Sequence, residues 1–136
     1  MKKLSFIILI SFTCNAMLFA QQQTSEDPFK KSLFPPELIM QNQQTISLTE
    51  SQRNSITKEM QDAQSEFMTL QWNLEKEAEK FKALIEKIKP DEKDVTDQLE
   101  KMLGVENKIK KRQISLLIRI KGALTPEQQE KLKNLK

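Results

Sequence analysis

The sequence predicts an all-α fold, a long antiparallel helical hairpin with a short helix at each end. Three observations predict it. Apolar side chains recur at spacings of alternately four and three over positions 56–88, the period of a helix packed along one seam. Strand signals are absent: no run alternates apolar and polar residues, there is no Asn-Gly turn, and the chain has no tyrosine. Finally, Leu-Thr-x-x-Gln stands twice, as "LTESQ" at 48–52 and "LTPEQ" at 124–128, each directly before a helical pattern.

The first 20 residues are set apart. "MKKLSFIILISFTCNAMLFA" opens on Lys2 and Lys3, continues through a mostly apolar stretch and ends on the small Ala20. That is the layout of a secretory signal peptide cleaved near Ala20, with an uncleaved anchor as the alternative, and it predicts an exported protein. Ser5, Ser11, Thr13 and Asn15 interrupt the apolar run, which is also short for a membrane span. Cys14, the only cysteine, leaves with it, and the preceding "SFT" is not the small or apolar triplet of a lipidation site. The mature chain then has no disulfide and is held by packing alone. Losing Lys2 and Lys3 leaves 20 basic against 19 acidic residues, a balance of +1 that gives no support to nucleic-acid binding. Two glycines, Gly104 and Gly122, cannot build a phosphate-cradling loop, so ATP-driven chemistry is set aside.

The elements follow in order. Residues 21–34 are polar and without periodicity, which predicts a flexible arm before a helical domain over 35–136. Pro35 and Pro36 set up a first short helix over 36–46, since proline is tolerated at the first helical position. The second helix is expected over 49–89, on the order of 60 Å long. Its seam holds Ile56, Met60, Ala63, Phe67, Leu70, Leu74, Glu77, Phe81, Leu84 and Ile88; only Glu77 is polar, and Pro90 is expected to end the helix. "PDEKD" makes an acidic turn whose carboxylates suit the N-terminus of a third helix. That helix aligns Val95, Leu99, Met102, Ile109, Leu116 and Ile120, with Glu106 and Gln113 as breaks, and Gly122 is expected to close it in the left-handed region. "PEQQEKLKNLK" forms a last short helix. Two long helices facing each other bury only one side each, so a homodimer is expected to cover more.

Each Leu-Thr-x-x-Gln has a local meaning. Thr49 and Thr125 are placed as N-caps, with Gln52 and Gln128 three residues on reaching back to the cap N–H, a capping box worth about 1 kcal/mol. Pro126 sits where a missing N–H costs nothing, and Leu48 and Leu124 turn inward. Two such motifs, one starting the long second helix and one the last helix, behind a signal peptide, resemble the Spy/CpxP family of periplasmic proteins. That family is grouped with heavy-metal-resistance relatives of the CnrX and ZraP type. The resemblance covers residues from about 35 to 135. It implies a cradle-shaped dimer that holds unfolded or misfolded polypeptides without ATP in envelope stress. It also implies that Leu48, Thr49, Gln52, Leu124, Thr125 and Gln128 are architectural. Two alternatives stay open beside it: a regulatory module docking on a membrane stress-signalling sensor, and a heavy-metal-resistance or metal-sensing protein.

Candidate client contacts come from what the seams leave out. Met68 and Trp72 lie one turn apart and off the seam, so they either pack against another element or a dimer mate, or stay open for clients; a flexible thioether and a wide aromatic suit loose binding. Lys108, Lys110, Lys111, Arg112, Arg119 and Lys121 make the later third helix basic. Such a run is either a solvated face or a rim that attracts acidic segments. Metal binding and catalysis are disfavoured. There is no histidine, no mature cysteine and no tyrosine, and of the four mature methionines Met60 and Met102 sit on seams. The expectation is a binding protein without enzyme activity, cofactor or metal.

Overall fold

The computed structural model describes residues 32–136; the expected signal peptide and nearly all of the expected arm lie outside the described residues. Among the described residues there are four helices and no strand: α1 (Pro36–Gln41), α2 (Glu50–Ile85), α3 (Glu92–Gly122) and α4 (Pro126–Lys133). The two long helices pack against each other. Four pairs span them: Gln52 with Ala123, Glu59 with Arg119, Glu66 with Arg112 and Glu77 with Gln98. Partner numbers fall along α3 as they rise along α2.

The core gathers at one end of the pair. Phe34, Ile39, Ile46, Leu48, Ile56, Ile120, Leu124 and Leu132 form one buried cluster, drawn from the N-terminal segment, the start of α2, the end of α3 and α4. Burying a large aliphatic or aromatic side chain contributes about 1.5–3 kcal/mol, so this cluster is where the fold is anchored. Phe34 belongs to it, so the folded part begins inside the stretch expected to be an arm. Lys136 covers this ring: its Nζ lies 4.8 Å from the ring centroid and donates to the Leu33 carbonyl at 2.8 Å. Beyond Ala63 in α2 and before Ile120 in α3, the only fully buried residue of either helix is Gln98. The far half of the pair has a seam but no enclosed core.

The α2 seam lies where the periodicity places it, inward and at least half-buried from Ile56 through Leu84. Its last member is a correction: Ile88 is fully exposed, because α2 stops at Ile85 rather than Lys89. Pro90 explains the early stop. Its ring collides with the carbonyl four residues back, at Glu86, and drives Lys89 out of helical geometry, so the chain unwinds before the proline is reached. The first helix is also shorter than expected. After Gln41 the backbone turns through Ser47, whose φ of 53° is the left-handed conformation.

Five of the six apolar positions of the expected α3 seam, Val95, Met102, Ile109, Leu116 and Ile120, lie inward. Leu99 is exposed, and the inward line runs through Val95, Gln98, Met102, Val105, Ile109, Arg112 and Leu116 to Ile120. Glu106 and Gln113 are therefore outward residues rather than breaks in the seam. Two inward positions are polar because partners wait for them on α2. Gly122 is not left-handed either: no glycine among the described residues has positive φ, and α3 ends on Ala123 in right-handed geometry, its N–H bonded back to Arg119 and Ile120. The start of α3 is as expected, with Asp91 accepting from the Asp94 N–H at 3.0 Å. α4 stops at Lys133 instead of running to the last residue.

Candidate functional site

The two Leu-Thr-x-x-Gln motifs meet. Each first builds its own capping box. Thr49 Oγ1 accepts from the Gln52 N–H at 3.2 Å while Gln52 Oε1 accepts from the Thr49 N–H at 3.1 Å. Thr125 and Gln128 repeat this at 3.2 and 2.9 Å. The amide ends then turn to each other. Gln52 Nε2 donates to Gln128 Oε1 at 2.8 Å, and Gln128 Nε2 donates to Gln52 Oε1 at 3.0 Å. Gln52 Nε2 also reaches the Ala123 carbonyl at 2.8 Å, and Gln128 Nε2 the Ile46 carbonyl at 3.2 Å. Leu48 and Leu124 are buried beneath. The six motif residues are thus one joint, tying the entry of α2 to the entry of α4 and the exit of α3.

Glu77, the polar break in the α2 seam, is answered from α3. The Gln98 amide donates to its carboxylate at 2.6 Å and to its backbone carbonyl at 2.9 Å, and Lys80 reaches the same carboxylate at 2.8 Å. The Lys80 hydrogen bond, followed by that of Gln98, holds the Glu77 carboxyl below the ordinary carboxylate range.

The remaining candidates divide. Met68 and Trp72 stand open, 50% and 64% exposed. Arg112 and Arg119 each reach across to α2: Arg112 Nε, on a side chain 11% exposed, to Glu66 at 2.7 Å, and Arg119 Nη1, on a side chain that stays exposed, to Glu59 at 3.3 Å. Lys108 and Lys111 are exposed and, with Arg112, line a groove of about 580 Å³ between the long helices. Neither Met68 nor Trp72 lines that groove. Lys110 and Lys121 lie on other parts of the α3 surface and do not line it.

Sequence reasoning missed the joint and the cross-helix partners. The signal for the latter was present: Glu59 and Glu66 are seven apart on α2, as are Arg112 and Arg119 on α3, so one heptad step along one helix matches one step back along the other. Among the described residues, no group of three or more His, Cys, Asp or Glu side chains could hold a metal ion. No helix among them is long and apolar enough to cross a membrane. No family model, no curated protein and no solved structure matches this chain.

Proposed function

We propose that this chain is an exported, Spy/CpxP-like protein that holds unfolded or misfolded polypeptide in the cell envelope without ATP, as an antiparallel helical hairpin paired with a second copy. The observation that carries the reading is the open pair Met68 and Trp72, on the half of α2 that has no enclosed core beneath it. A tryptophan offers a large contact area at little conformational cost, and a methionine beside it adapts to many sequences, so contacts of this kind favour breadth over selectivity. The falling order of partners along α3 supports the antiparallel arrangement. The thin far half supports the second copy, since one hairpin leaves Leu99 and Leu103 open there as well, and Ile118 open nearer the core.

Light scattering of an aggregating, chemically unfolded protein tests this reading. The mature protein, added at equimolar ratio and without nucleotide, suppresses the scattering, and substoichiometric amounts suppress it in part. Unchanged aggregation at a several-fold excess contradicts the chaperone reading and favours a regulatory docking module built on the same helices.

A further inference from the structure

From the groove between α2 and α3 we infer a binding site for a tetrahedral oxyanion, a phosphate or phosphomonoester group. This goes beyond the proposed capture of unfolded chains and rests on other residues. Arg112 carries it. A guanidinium has five N–H donors, and among the described residues Arg112 spends only Nε, on Glu66. Its side chain is 11% exposed, and Nη1 is buried with no hydrogen-bond partner among the described residues. A buried charged donor left unmatched is costly, and the fork geometry of the group suits an oxyanion edge-on.

The surroundings select the ligand. Lys108 and Lys111 line the same groove and enter no ion pair among the described residues. Against these three cations stands one carboxylate, Glu66, so the lining keeps two positive charges, the complement of a dianion. Ser65, Thr69, Ser115 and the apolar Leu70 complete the lining; the Thr69 hydroxyl donates to the Ser65 carbonyl at 3.3 Å, which leaves its oxygen lone pairs and the two serine hydroxyls facing no other partner among the described residues. A carboxylate ligand offers two oxygens, whereas a phosphoryl group offers three and so uses a donor set drawn from both helices. Side chains supply all of this, which needs no glycine-rich loop. Glu66 is the internal competitor: its side chain is 56% exposed, free to swing away when an oxyanion takes its place on Arg112.

The test uses the mature protein at low ionic strength, where screening is weak. Inorganic phosphate is titrated while the backbone amide signals of Thr69 and Ser115 are followed by NMR. The expected result is saturable binding that weakens about tenfold or more in Lys108→Ala/Lys111→Ala, two exposed positions whose loss leaves the fold intact. Binding tightens in Glu66→Gln, which removes the competing charge. Co-sedimentation with phosphatidylcholine vesicles, with and without phosphatidic acid, names the source. Retention only on phosphatidic acid, lost in the double lysine variant, assigns a lipid headgroup; phosphate binding without vesicle retention assigns a soluble oxyanion. Absence of saturable binding to either probe, or an affinity unchanged in the double lysine variant, overturns the inference. Client capture is not measured here, so failure of the oxyanion site leaves the chaperone reading standing, and the reverse.

Discussion

A glutamine side chain has two amide donors and an oxygen with two lone pairs, and Gln52 and Gln128 use them for two purposes at once. The oxygen of each closes a capping box, and the same amides pair with each other and with carbonyls at Ala123 and Ile46. The capping role was legible in the sequence, because Thr-x-x-Gln before a helical pattern fixes both partners within three residues. The pairing was not, because nothing local says which helix starts come together. If the joint is one unit, Gln52→Leu and Gln128→Leu each destabilise by about 1–3 kcal/mol, and the double variant costs clearly less than their sum. Urea unfolding of the four proteins in this cycle measures the coupling; strict additivity contradicts a shared joint. Glu77 gives a second prediction. Lys80 and then Gln98 lower its pKa in the folded state, so its contribution to stability is present above the ordinary value of 4.5 and is lost as pH falls through the lower folded value. Gln98→Ala brings the folded pKa back up, seen in an NMR titration of the Glu77 carboxyl carbon, and flattens the stability change below pH 4.5.

At the scale of the element, the α2 seam and five of the six apolar α3 positions are legible in the sequence, while Gln98, Val105 and Arg112, the inward residues between them, are not. The α2 seam is apolar at nearly every turn, so the alternation of four and three has a single solution. In α3 the inward line includes Gln98 and Arg112, while Leu99 just beside Gln98 faces out. Ranking residues by hydropathy favours Leu99 over Gln98 at that turn, and only Glu77 on α2 settles which of the two faces in. Gly122 departs from expectation for a related reason: its position suggests a left-handed closure, yet the left-handed residue among these connections is Ser47. Both glycines instead sit in α3 as helical residues. A methyl group built on Gly104 would meet nothing within 4 Å. Gly104→Ala is therefore expected to raise the unfolding free energy by about 0.5–1 kcal/mol in urea denaturation, from the helix preference of alanine and a less flexible unfolded chain. A loss of stability would instead mean that a second backbone sits against Gly104 in solution.

For the whole molecule, the distribution of the core governs the functional reading. The N-terminal segment, the start of α2, the end of α3 and α4 are locked together at the joint, while the far half is held by a half-buried seam and a few polar pairs. The sequence conveyed the narrowness of that seam, since each long helix has one apolar line. It did not convey whether Met68 and Trp72 were covered, because periodicity says only that a residue lies off the seam and not what lies above it. With the pair open, the proposed client surface makes a kinetic claim, as most differences in affinity between related complexes lie in the off-rate. The direct measurement is stopped-flow release of one unfolded protein from the wild-type chain and from Trp72→Ala, with helicity and sedimentation followed alongside. The account predicts faster release from Trp72→Ala with helix content and assembly unchanged. Equal release rates, or a variant that melts or dissociates, would contradict it, because Trp72 would then be either idle or part of the packing.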